Sequence, residues 1–269
     1  EAKEYPSAVR AAILPHAGLS YSGYGMAEAF ANIDPGAYRQ VVILAPSHYV
    51  ALAPDLLHVE DFDVHETPLG PIPGNPDFWA PDPRESTANS IAPANGAVEM
   101  EHALELFFPF VRHTFGEKAR LSLALVPPLS TVDAVERLAD FLQERVEGAA
   151  GSDQTLLIVS SDFTHYGRRF GFAPFGSGPR EEVEEKVAAS DVEVATEAAE
   201  CRVKELFRRF STTETTICGR YPILLGTELL RRLGCRGEVA RYYNSNLFGS
   251  PTEEFVCYAS VLFSAQEAP

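Results

Sequence analysis

The chain is short of basic residues, of cysteine and of long apolar runs, and each shortage closes off a class of protein. Lys and Arg number 22 against 38 Asp and Glu, a formal net charge of -16, and no basic stripe offsets it. A protein that grips nucleic acid or another polyanion over a broad face is therefore excluded. The four cysteines, Cys201, Cys218, Cys235 and Cys257, form no C-x-x-C pair in 269 residues. A disulfide framework is not expected, and a reducing, cytoplasmic setting is. No apolar run approaches the roughly 20 residues that span a bilayer, and the opening EAKEYPSAVR carries four charges and no apolar core. Neither a membrane partner nor a secretion signal is expected.

What is present suits one large α/β domain, with 45% hydrophobic residues to build its core. Short apolar runs read as strands at residues 11–14, 41–44, 121–126, 156–159, 238–243 and 255–263. Helical spacing appears between them. Met26, Ala27, Phe30 and Ile33 mark a helix over 26–33; Met100, Leu104 and Phe107 mark one over 98–110, with His102 on or near it. Residues 131–147 carry the stripe Val135, Leu138, Ala139 and Leu142 behind a Ser130 or Thr131 cap. Residues 181–210 read as one or two charged helices, and 223–233 as a helix stopped by Gly234. Strand and helix alternate until the C-terminal strands follow one another directly. The expectation is a single α/β domain over 1–269, its central sheet mostly parallel but mixed, flanked by helices. Residues 66–96, with seven prolines and the sole tryptophan, Trp79, predict a long loop without regular helix or central strand, packed beside the functional site.

Three of the strand-like runs deliver a histidine. Residues 11–14 lead to Pro15 and His16, 41–44 lead to Ser47 and His48, and 156–159 lead to Ser160, Ser161, Asp162 and His165. Parallel strands would bring all three to one edge of the sheet, where α/β proteins place their chemistry. A lone histidine after a strand is most often a buried hydrogen-bonding group. Two at matching positions of one βαβ unit point instead to a metal, for which imidazole is a common borderline ligand. A third ligand is then needed, and Asp162, His165, His102, Glu101 and Cys218 are candidates. Cys218 precedes a helix whose N-terminus would favour a thiolate. Asp162 could instead cap a turn.

Other features rank lower. Gly18 to Gly25 satisfies neither the dinucleotide nor the Walker pattern, so a tight turn with close helix packing is expected there. His65 reads as a solvated or turn residue, and His58 and His113 have no partners in sequence. Cys201, Cys235 and Cys257 read as small buried hydrophobes, and Glu181, Glu182, Glu184 and Glu185 as a solvated helix face.

The segments PHAGLSYSG, APSHY, ETPLG, EHALEL, SSDFTHYG and TTICGRYP, in this order, resemble the Memo family from about residue 11 to 263. The resemblance implies a fold similar to the class III extradiol ring-cleaving dioxygenases, which hold non-haem Fe(II). It places the family's metal ligands on His16, His48 and Cys218, and puts Asp162, His165 and His102 on polar residues lining the same pocket. Two histidines and one anionic ligand would leave metal positions open for O2 and substrate. The softer thiolate would also admit Cu or Zn, and would itself be open to oxidation. His165 or His102 could act as the base, with Asp162 orienting a histidine. Two functions follow from the resemblance: redox or dioxygenase-like chemistry on an unknown, aromatic small molecule, or a non-catalytic binding and signalling module. The second is implied by the part of animal members in receptor-driven cell motility, and its pocket would recognise a peptide or protein partner.

Overall fold

Four short aliphatic runs make the parallel centre of the protein because both of their faces are covered. They are β1 (Val9–Leu14), β2 (Gln40–Ala45), β7 (Arg120–Leu125) and β8 (Thr155–Ser160), and nearly every residue in them is buried. The structure, a computed structural model, describes residues 8–80, 90–149, 151 and 154–266. The parallel strands lie in the order β1-β8-β2-β7. The sheet continues at both sides. On one side are β11 (Phe255–Ala265), antiparallel to β1, and then β10 (Cys235–Asn244), with β9 (His165–Tyr166) against β11. On the other are β3 (Leu57–Val59), antiparallel to β7, and then β6 (Ile91–Pro93), parallel to β3 at the edge. Two short strands, β4 (Val64–His65) and β5 (Ile72–Pro73), form a separate hairpin. The mixed, mostly parallel centre is the one expected.

Alternation along each strand divides the core in two. Val42, Leu44, Leu157 and Val159 face a cluster with α5 (Val132–Ala149), α6 (Arg180–Ala199), α7 (Val203–Thr212) and α8 (Arg220–Arg232). Val41, Ile43, Leu156 and Ile158 face the other, with α1 (Leu19–Ala31) and α4 (Phe108–Phe115). The α5 stripe of Val135, Leu138, Ala139 and Leu142 is buried as expected, and Thr131 Oγ1 accepts the Ala134 amide at 3.1 Å as its cap. Each such Val or Leu removed from water contributes roughly 1.5–3 kcal/mol. Cys201, at φ 54°, breaks the 181–210 run into α6 and α7.

Several expectations need correction. The glycines at 23 and 25 do not form a turn; they lie inside α1. A Cβ on Gly25 would fall 2.7 Å from Ser260 Oγ, so the glycine serves close packing of α1 on β11. The helix expected over 98–110 is three pieces: α2 (Asn95–Glu99), α3 (His102–Glu105) and α4. Glu101 is extended, and its carboxylate accepts the Ala103 amide at 3.1 Å, so it ends one helical turn and caps the next. Residues 75–79 of the proline-rich loop pack away from His16 and His48. Asn75 donates to Leu121 O at 3.2 Å and to Gln40 Oε1 at 2.8 Å, while Trp79 stacks on Phe141. Gln40 and Leu121 lie at the starts of β2 and β7, the end of the sheet opposite His48. Pro93 falls in β6, an edge strand where the missing N–H needs no partner. Residues 81–89 lie outside the described residues. His65 is not solvated but 5% exposed, 3.8 Å from the buried Glu60.

Candidate metal centre

Because β8 lies between β1 and β2, the segments after all three strands meet at one edge of the sheet. His16 follows β1 and is 1% exposed. Its amide donates to Asp162 Oδ1 at 2.8 Å, as does that of Ala17 at 3.2 Å. Its Nδ1 lies 2.7 Å from Ser160 Oγ, which donates onward to Ala103 O at 2.6 Å. With the serine proton committed to that carbonyl, Ser160 accepts Nδ1–H, and Nε2 keeps its lone pair. Nε2 faces the Cys218 sulfur at 3.2 Å. Burial, followed by the neighbouring His48, His102 and His165, holds the His16 imidazole well below its usual pKa, hence neutral.

His48 is fixed by Glu101. The Glu101 carboxylate accepts the His48 amide at 2.6 Å through Oε2 and faces Nδ1 at 2.8 Å through Oε1. The His48 side chain is 28% exposed and that of Glu101 1%. Burial alone would raise the Glu101 carboxyl, but hydrogen bonds from the His48 ring and amide and from Ala103 outweigh it, leaving it below the usual range.

Cys218 comes from the opposite side, just before α8. Gly219 donates to Ser161 Oγ at 3.1 Å, and a Cβ there would fall 2.4 Å from Ser160 O, so only glycine lets this turn close onto the end of β8. The expected thiolate is not favoured by the fold itself. Burial and then the Asp162 charge push the thiol well above its usual pKa, against the opposing backbone hydrogen bonds of Asp162, Gly219 and Cys218 itself. One nitrogen each from His16 and His48 and the Cys218 sulfur lie within 4.8 Å of one another.

The remaining candidates surround this cluster unevenly. His102 opens α3, with its ring centroid 4.8 Å from that of His48 and 5.6 Å from that of His16. Its Nδ1 meets Tyr49 Oη at 3.0 Å and Glu101 Oε1 at 3.2 Å. His48, Glu101 and His102 form a second group with ligand atoms within 4.8 Å. His165 is held through its backbone, its amide donating to Thr216 Oγ1 and its carbonyl accepting from the same hydroxyl, both at 2.9 Å. Its buried Nε2 finds no hydrogen-bond partner among the described residues. Burial and then His48 lower this imidazole to about 4. Burial raises the Asp162 carboxyl to about 7, against the opposing His16 and Ala17 amides.

Four of these residues line two cavities. Asp162 and His165 line a cavity of about 620 Å³ with Tyr21, Arg169, Phe170 and Tyr258. His48 and Cys218 line another of about 460 Å³ with Thr216, Arg220 and Tyr221. The orienting role expected of Asp162 also changes, because it holds His16 by the backbone while Ser160 and Glu101 hold the two imidazole rings. Tyr49 was not singled out in the sequence, where its one signal is its position directly after His48.

Similarity to known proteins covers nearly the whole chain. A family model described as "Memo-like protein" matches residues 2–262. A "MEMO1 family protein" of Thermococcus onnurineus is 28% identical over 267 residues, covering 95% of this chain and 87% of the relative. "Protein memo-1 homolog" of Caenorhabditis elegans is 28% identical over 262 residues, covering 94% and 72%. "Protein MEMO1" of Xenopus tropicalis is 29% identical over 221 residues, covering 80% and 70%. No helix among the described residues is long and apolar enough to cross a membrane.

Proposed function

The chain belongs to the Memo-like protein family, and from that premise we propose that the strand-end cluster holds one transition-metal ion on His16, His48 and Cys218. The ion is Fe(II) in the first instance, with Cu or Zn as alternatives, and its use is redox or dioxygenase-like chemistry on a small aromatic molecule. One observation carries the reading: three ligand atoms of suitable type converge within 4.8 Å, and each imidazole has its Nδ1 occupied, by Ser160 or by Glu101. That arrangement fits a metal, since a ligating histidine commonly gives its second nitrogen to a hydroxyl or carboxylate that fixes its tautomer. Two imidazoles and a sulfur form a borderline to soft donor set, suited to Fe, Zn or Cu(I) rather than Mg or Ca. When bound, Fe or Cu would supply Lewis-acid and one-electron chemistry, and Zn Lewis-acid chemistry alone.

The side chains beyond the ligands handle substrate and protons. The cavity of about 620 Å³ is large enough for a single-ring molecule between Tyr21, Phe170 and Tyr258. On its wall, His165 offers an unpartnered Nε2 on a neutral ring, and Asp162 a carboxyl titrating near 7. A proton acceptor is best poised when its pKa lies near the working pH. Asp162 is therefore the better resting acceptor for a phenolic proton, with His165 receiving the hydrogen bond and His102 serving the flank beside His48.

A second reading has its own observation. Tyr21, Leu247 and Phe248 are 41%, 59% and 39% exposed beside this cavity, an apolar rim suited to a peptide or protein partner that needs no turnover. Anaerobic Fe(II) loading followed by oxygen-uptake measurements on a panel of catechols separates the two. Uptake with any member, lost in His165→Ala while iron is retained, supports catalysis. No uptake with any substrate leaves the binding module.

A further inference from the structure

Behind the wall that carries His165 and Cys218 lies a separate cavity of about 340 Å³, bordered by Asp191, Thr164, Val194, Ile217, Phe172 and Phe210. Asp191, on α6, is 1% exposed. Its carboxylate accepts the Thr164 hydroxyl at 2.6 Å, the Thr164 amide at 3.2 Å and the Tyr242 hydroxyl at 3.0 Å. The Cys257 thiol is a fourth hydrogen-bonding neighbour of this carboxylate, and all of these donors are neutral. Among the described residues no Lys, Arg or His is ion-paired with Asp191. Arg209, which borders the same cavity, is already paired with Glu193 at 2.9 Å and Glu197 at 2.8 Å.

Neutral hydrogen bonds offset only part of the cost of taking a carboxylate out of water, and a buried charge without a counter-charge is expensive. Burial raises this carboxyl and the hydrogen bonds oppose it, leaving it at about 6, so it is mostly ionised at neutral pH. Glu214 at the border adds charge of the same sign. A negative group inside phenylalanine and valine walls matches a cation carried on an apolar body, and the volume, near the lower end for organic ligands, admits about one ring.

We propose that this cavity binds a small organic cation, a primary ammonium group on an aromatic or branched apolar body, with the ammonium donating to Asp191 and the body between Phe172, Phe210 and Val194. The site is independent of the metal centre. It nevertheless touches the segments that hold that centre, since Thr164 precedes His165 and Ile217 precedes Cys218.

Phenethylamine is the probe, with 2-phenylethanol and 3-phenylpropionate as uncharged and anionic counterparts, each titrated into the full chain at neutral pH by calorimetry and methyl NMR. The expected result is saturable phenethylamine binding that shifts the methyls of Val187, Val194 and Ile217, at least about tenfold tighter than 2-phenylethanol, with 3-phenylpropionate weaker still. Asp191→Asn removes the preference for the amine. Ser190→Trp, at an exposed position on the cavity border, blocks all three probes and keeps the test decisive if the Asn variant fails to fold. Equal binding of amine and alcohol, absence of binding, or amine binding unaffected by Ser190→Trp would overturn the proposal.

Discussion

Glu101→Gln keeps the shape of a buried side chain and removes its charge, which tests how His48 is held. Oε2 accepts the His48 amide at 2.6 Å, while Oε1 faces His48 Nδ1 at 2.8 Å and the Ala103 amide at 3.1 Å. Glutamine has one acceptor oxygen, so whichever way it turns, its NH2 meets a donor at one end. Losing one hydrogen bond to a charged group costs about 1.5–3 kcal/mol. At roughly 2–4 °C per kcal/mol for a chain of this size, Tm falls by about 3–12 °C. Metal affinity should fall further than stability implies, because an unfixed imidazole loses orientation and basicity, an effect of about 10–100-fold. Equilibrium competition against a chromophoric chelator reads the affinity. Leu138→Val in α5 serves as a control that lowers stability away from the centre and leaves affinity unchanged. If Glu101→Gln lowers Tm yet binds metal within about twofold of wild type, Glu101 is a structural cap and the account of His48 is wrong.

Three further outcomes follow from the same geometry. Metal binding needs the Cys218 thiolate, whereas the fold holds the thiol well above its usual value and keeps His16 neutral, so binding releases the Cys218 proton and none from His16. Affinity should therefore rise by roughly tenfold per pH unit across the neutral range, and a flat profile in chelator competition would contradict this. Gly219→Ala places a Cβ 2.4 Å from Ser160 O and from Ser161 Cβ, so the turn must back away from β8. A cost of about 1–3 kcal/mol and reduced metal occupancy are expected, and unchanged melting and occupancy would show that the close approach is not required. In NMR titrations of the metal-free protein, the His165 imidazole should stay neutral down to about 4, and titration near the ordinary 6.5 would show that its ring is solvated.

Much of this architecture is legible in the sequence because the relevant signals are local. Aliphatic runs such as VVILA and LLIVS can be little else than buried parallel strands, and α5 announces itself by spacing and cap. Residues 98–110 misled because helical periodicity continues through Glu101, and the break is made by a long-range bond from that carboxylate to the His48 amide, 53 residues away. The glycines of α1 misled similarly. The reason for Gly25 is Ser260 and Tyr243, on two strands that reach α1 only in the folded sheet. At the site, residue type and strand-end position were enough to bring His16 and His48 together. Cys218 stood among five candidate third ligands and was singled out by the family resemblance alone, because no spacing rule links it to residues some 200 positions earlier. Ser160 became assignable to His16 once β8 was seen to lie beside β1, and Glu101 to His48 through its bonds to that residue's amide and ring.

The central claim concerns the three ligands, and metal content tests it most directly. Protein purified without added metal should carry about one equivalent of transition metal in the wild type. His48→Ala and Cys218→Ala should lose most of it, and His165→Ala should keep it. Equal iron, copper and zinc in wild type and both ligand variants would contradict the assignment, and loss on replacing His165 as complete as on replacing Cys218 would move the metal to the opposite wall.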